Sequence, residues 1–202
     1  MKRLHKPDLY GWSTFNEARN IDFHSVLWVR SEGNVAIDPL PLSEHDGAHL
    51  RELGGVDTII VTTSDHVRDS ASLAEKTGAR ILGPAAERDT FPLACGLFLQ
   101  EGDEPVPGLC VFELEGSKTP GELALLLGED TLVTGDLVRA HEGGKLCTLP
   151  EAKLTDRAAA IESVHRLAAL RGVEAVLTGD GWPVFRHGGE ALRELANALG
   201  AR

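Results

Sequence analysis

The sequence predicts an α+β protein in which two β-sheets pack face to face and helices cover their outer faces. Two observations carry this expectation. Strand-like runs fall into two groups, each with segments of helical periodicity that can cover a sheet face. The chain has 202 residues, 42% of them hydrophobic, which is enough for one well-packed domain and short for two. A single domain over 1–202 is therefore expected, without repeat, low-complexity tract or linker.

The elements follow in order. Phe23 to Arg30 and Val35 to Pro39 alternate apolar and polar residues around Glu32-Gly33-Asn34, the pattern of a β-hairpin. Leu42 to Gly54 reads as a helix with Ser43 as N-cap, Leu50 and Leu53 on its apolar side and Gly54-Gly55 after it. From Thr58 to Pro84 the order is strand, polar loop, helix from about Ser70 to Gly78, and strand, which makes a βαβ unit. Leu109 to Leu114 and Leu123 to Leu127 are short strands after a turn-rich stretch. Thr155 or Asp156 can cap a helix with Ile161, Val164, Leu167 and Ala168 at helical spacing, stopped by Gly172. A buried strand follows, and Leu192, Leu195 and Leu199 mark an amphipathic closing helix over Glu190 to Leu199.

Composition narrows the function. With 31 acidic against 20 basic residues, the net charge of -11 disfavours attraction to a phosphate backbone, so no nucleic-acid partner is expected. No apolar run follows the basic N-terminal residues and none approaches membrane-spanning length, which predicts a soluble, unprocessed protein with no membrane partner. Cys95, Cys110 and Cys147 are odd in number and far apart, which fits a reducing cytoplasm rather than a disulfide framework or a zinc cluster.

Four segments carry a family resemblance. The run Ile59-Ile60-Val61-Thr62-Thr63 leads into Ser64-Asp65-His66-Val67-Arg68-Asp69 and then a helix. Gly116-Ser117-Lys118-Thr119-Pro120-Gly121 precedes a strand, Leu132-Val133-Thr134 ends in Gly135-Asp136, and Val176-Leu177-Thr178 ends in Gly179-Asp180-Gly181-Trp182. Together these resemble the metallo-β-lactamase superfamily over nearly the whole chain. That family carries His-x-His-x-Asp-His after its motif strand, Gly-His-Thr-Pro-Gly before a later strand, a metal-bridging Asp after Gly, and a terminal Gly-His-Gly. The resemblance implies a four-layer αββα sandwich and a dinuclear zinc site at these loops. Here Ser64, Arg68 and Asp69 replace motif ligands, Lys118 and Asp180 replace histidines, and His66 and Asp136 are retained. Reading the motif one residue earlier puts Thr63, Asp65, Val67 and Arg68 at the ligand positions, a poorer match.

The chemistry of these replacements sets the alternatives. Zinc needs neutral imidazoles and carboxylates with lone pairs to donate, whereas arginine has none and lysine is protonated unless strongly desolvated. Two fixed cations, Arg68 and Lys118, are therefore expected in the volume of the metals, neutralising Asp69, Asp136 and Asp180, with no cofactor. The candidate pocket comprises Ser64, Asp65, His66, Arg68, Asp69, Lys118, Asp136, Asp180 and Trp182. Plainer roles compete: Asp65 or Asp69 as helix caps, His66 as a loop hydrogen-bonder, Lys118 as a solvated turn residue, and Trp182 as packing beside the pocket mouth.

Three functions follow from the same residues. The first is an inactive or binding-type homologue that takes a small molecule or a protein in the cleft. The second is a hydrolase of an ester, thioester or lactam-like bond with one zinc, iron or manganese ion on His66, Asp69, Asp136 and Asp180. The third is a metal-free hydrolase using Ser64 or Ser117 beside His66, although no Gly-x-Ser-x-Gly elbow is present.

Overall fold

Alternation along the strands divides the apolar residues between an inner and an outer face, and that division builds the molecule. The computed structural model describes residues 1–200. One sheet holds β1 (Lys2–Arg3), β2 (Leu9–Asn16), β3 (Ile21–Trp28), β4 (Val35–Ile37), β5 (Thr58–Ile60), β6 (Arg80–Pro84) and β7 (Leu97–Leu99) in sequence order. The second has the order β13 (Ala175–Thr178), β10 (Thr131–Thr134), β9 (Glu122–Leu127), β8 (Leu109–Leu114). A separate hairpin joins β11 (Val138–Glu142) to β12 (Lys145–Thr148).

Because successive side chains point to opposite faces, Val35, Ile37, Ile60 and Leu82 of the first sheet meet Leu123, Leu125, Val133 and Leu177 of the second in one core. Their neighbours Ala36, Ile59, Val61 and Ile81 point the other way, against Leu50 of α1 (Glu44–Glu52) and Leu73 of α2 (Ser70–Thr77). On the far side, Ala124, Leu132 and Val176 pack on α3 (Arg157–Ala168) and α4 (Gly188–Gly200). The layers run α, β, β, α.

Local signals act as the sequence suggests in several places. Ser43 Oγ accepts from Asp46 N at 3.0 Å to cap α1, and Asp156 caps α3 through Ala158 N and Ala159 N. Thr155, the other candidate cap, instead donates to the Ser117 carbonyl at 2.6 Å and ties the motif turn to α3. Gly116 of that turn lies at φ +79, and a Cβ there would meet the Asp156 carbonyl oxygen at 2.2 Å, so only glycine fits.

The N-terminal sheet extends further than expected. β2 pairs with β3 along eight residues, from Leu9↔Trp28 to Asn16↔Ile21, although the outer half of β2 is exposed and carries no clear apolar alternation. Backbone pairing with β3 makes it a strand, which side-chain periodicity cannot report. The β4, β5 and β6 pairings are parallel, as are β10 and β13. Their carboxyl ends open on one edge of the sandwich, where the motif loops gather.

Candidate functional site

The site is assembled from residues just past the ends of β4, β5, β10 and β13. Asp38, buried and held at φ +46, follows β4. Its Oδ1 accepts from Thr62 N at 2.8 Å, and its Oδ2 from Thr62 Oγ1 at 2.6 Å. The same Oδ2 lies 2.8 Å from His66 Nδ1, which orients the ring. His66 sits in a single 3-10 turn over Ser64–His66, capped by the Thr63 side chain and braced by buried Glu87, whose Oε1 accepts from Ser64 N at 3.0 Å.

The other ring nitrogen of His66 faces two more buried carboxylates. Nε2 is 3.6 Å from Asp136 Oδ1 and 3.7 Å from Asp180 Oδ1. Gly179 permits this approach, since a Cβ there would lie 2.8 Å from His66 Cε1. One donor atom each from His66, Asp136 and Asp180 can be chosen with all three within 4.8 Å of one another, a group that could hold a metal ion.

Cations occupy the same space. Arg139 of β11 is 7% exposed, pairs with Asp180 through NH2, and has NH1 4.0 Å from Asp136. Arg68, at φ +42, spends its guanidinium mainly on the main chain: NH1 donates to the carbonyls of His24 at 2.5 Å and Asp38 at 3.0 Å, and NH2 to that of Gly179 at 3.1 Å. Its distance to Asp180 Oδ1 is 3.5 Å. It clamps β3 to the ends of β4 and β13 as well as supplying charge. Lys118 Nζ lies 3.0 Å from Asp136 Oδ2, an ion pair without hydrogen-bond alignment, and also pairs with Asp65 at the rim.

These neighbours set the protonation states. Burial and the Arg68 charge push the His66 imidazole down, but the Asp38 and Asp136 carboxylates outweigh them and raise it to about 9. Burial would raise Asp136, yet His66 and Lys118 hold it well below the usual carboxylate range. Behind it, Glu122 is fully buried and accepts from Asp136 N at 2.6 Å, from Leu137 N and from Ser117 Oγ. Burial and the Asp136 charge raise Glu122 to about 7.

A cleft of about 540 Å³ opens over this cluster, lined among others by Asp65, His66, Arg68, Lys118, Asp136 and Asp180. Three expected members stand elsewhere. Asp69 is not in the convergent donor group: its N–H donates to the Pro39 carbonyl and its carbonyl accepts from Leu73 N, committing it to the start of α2. Its side chain makes no capping bond either. Trp182 is 61% exposed, with Nε1 donating to Asp22 Oδ2 at 3.0 Å, and does not line the cleft. Ser64 is bound through its backbone and also lies outside the lining, while the Ser117 hydroxyl is committed to Glu122 rather than His66.

Sequence reasoning missed Asp38, Glu87, Glu122 and Arg139. Asp38 had a usable signal, since Ile37-Asp38-Pro39 ends a strand as Asp136 and Asp180 do. Arg139 had none, being one polar residue in a short β-strand.

Two sheets with outer helices, and a His-Asp cluster at the carboxyl strand ends, define a known class of protein. The family described as Metallo-beta-lactamase superfamily matches residues 1–199, and the chain belongs to it. Among solved structures, the metallo-beta-lactamase from Pontibacter korlensis has a TM-score of 0.74 at 14% identity, covering 98% of this chain and 97% of that one. A metallo-beta-lactamase family protein from Thermus thermophilus has a TM-score of 0.72 at 21% identity, covering 97% of this chain and 79% of that one. A metallo-beta-lactamase from Hirschia baltica gives 0.73 at 13% identity, with coverage of 95% and 92%. Identities this low carry the fold alone. No curated protein matches the chain.

Proposed function

We propose that this chain is a binding-type superfamily member in which side-chain cations replace the dinuclear zinc pair, and that its cleft holds a small molecule. One observation carries the reading. The buried carboxylates Asp38, Asp136 and Asp180 are each met by a basic side chain: His66 on Asp38, His66 and Lys118 on Asp136, and Arg139 and Arg68 on Asp180. Buried carboxylates require such partners, and here side chains provide them. A zinc pair does not fit the same atoms: Arg139 and Lys118 already engage the Asp180 and Asp136 oxygens, and neither cation has a lone pair to donate.

The second reading, a single ion on His66, Asp136 and Asp180 serving a hydrolase, has the convergence of those three groups in its favour. Asp69 drops from that ligand set. Metal analysis of protein purified without chelators separates the readings. Less than one tenth of an equivalent of zinc, iron or manganese, with no stoichiometric zinc or manganese uptake after chelator treatment, is the expected result. One equivalent in the wild type that disappears in Asp136→Ala would replace the binding reading with the mononuclear hydrolase.

We also read the chain as one domain over 1–202 working in a reducing cytoplasm, consistent with its three free cysteines. No helix among the described residues is long and apolar enough to cross a membrane. The net charge of -11 supports a small-molecule partner over nucleic acid.

A further inference from the structure

We propose that the cleft mouth is a receptor for a small organic carboxylate, which sits between Arg19 and Lys118 with its apolar body against Phe23, Leu40 and Pro41. It rests on the metal-free reading above and names the ligand class for that site.

The deep cations are occupied: Arg139 by Asp180, and Arg68 by three carbonyls and Asp180. Arg19 is different. It lines the same cleft, is exposed, and forms no ion pair among the described residues. The turn joining β2 to β3 holds its backbone, where Arg19 N donates to Asn16 Oδ1 at 2.9 Å, and its guanidinium stands 6.0 Å from the Phe23 ring centroid. Arg68 stands 5.6 Å from the same ring. Phe23 therefore presents an aromatic surface bordered by guanidinium groups.

Asp65 supplies the second argument. Its carboxylate already pairs with Lys118, whose side chain is 35% exposed, while that of Asp65 is 44% exposed. Exposed pairs of this kind are weak and exchange partners readily. Asp65 stands in for a carboxylate ligand, and an incoming carboxylate takes its place on Lys118 while Arg19 offers a fork of donors suited to the same group. The apolar wall of Phe23, Leu40 and Pro41 selects an organic acid over a bare anion.

Calorimetric titration of the full-length, metal-free protein with benzoate tests this. Saturable one-to-one binding is expected, weakened about fivefold or more by Arg19→Ala and tightened about threefold by Asp65→Ala as the internal competitor is removed. Benzamidine, which reverses the charge on the same ring, should not bind, and inorganic phosphate should bind more weakly than benzoate. No benzoate binding, an unchanged or weakened Asp65→Ala variant, an Arg19→Ala variant equal to wild type, equal binding of benzamidine, or phosphate binding as tightly as benzoate overturns the proposal. Because these titrations use metal-free protein, they fail independently of the metal analysis, which tests the underlying reading.

Discussion

The floor and the rim of the cleft are built from the same residue types and behave as opposites. On the floor, His66, Asp38, Asp136, Asp180 and Arg139 are all 7% exposed or less, and each charge has a partner of opposite sign. At the rim, Lys118 and Asp65 pair while both remain substantially exposed. Burial makes the difference. In a low dielectric, losing one partner strands the other charge, whereas solvent at the rim offers a substitute for either. The floor is therefore a structural commitment and the rim an exchangeable one.

The largest effect should come from breaking the floor. Arg139→Ala removes the closest partner of Asp180 and leaves it Arg68 at 3.5 Å and His66 at 3.7 Å, and a loss of about 3–5 kcal/mol in urea unfolding is expected. The double variant Arg139→Met with Asp180→Leu should recover most of that loss, because no buried charge is left unpaired. If the single and double variants are equally unstable, the pair does not behave as a coupled buried unit.

Protonation offers a slightly smaller lever. His66 lies at about 9 in the folded protein against about 6.5 in an unfolded chain. A raised folded value means that its contribution is fully present below about pH 6.5 and is lost as pH rises through about 9, a change of about 3 kcal/mol. Unfolding of chelator-treated protein from pH 6 to 10 should show that decline, and His66→Gln should remove the part above about pH 7.5, leaving the smaller loss below it as buried Glu122 ionises through about 7. A wild-type profile flat above about pH 7.5 would place an unprotonated His66 on the floor and weaken the charge pairing described above.

The smallest effect belongs to the rim. Asp65→Ala should change unfolding stability by no more than about 1 kcal/mol, since the pair it breaks is open to solvent. A loss comparable to that of Arg139→Ala would erase the distinction between floor and rim.

The sequence carried much of this architecture. The runs Val35-Ala36-Ile37 and Leu123 to Leu127 were readable as strands, and the structure divides their two faces between different cores. Ser43 and Asp156 were readable as caps because capping is decided within three residues. At the site, the strand ends Gly135-Asp136 and Gly179-Asp180 were readable through their resemblance to the family's motifs. Asp69 was not placed correctly: its assignment depended on the path of the chain through Arg68 at φ +42, which three distant carbonyls hold. β2 went unread because its backbone partner, rather than its own side-chain pattern, makes it a strand.

By itself, then, the sequence determined the layer order, the strand ends where the loops converge, and the replacement of imidazoles by Lys118, Arg68 and carboxylates. The first follows from periodicity and the other two from the resemblance to the family's motifs, and each is read over a few positions. Only the tertiary structure decided which charges meet. It brought Arg139 onto Asp180 across 41 residues and Asp38 onto His66 across 28, and sent Arg68 largely to main-chain carbonyls. Ion pairing depends on distance and burial between remote segments, and those exist only after the two sheets have packed.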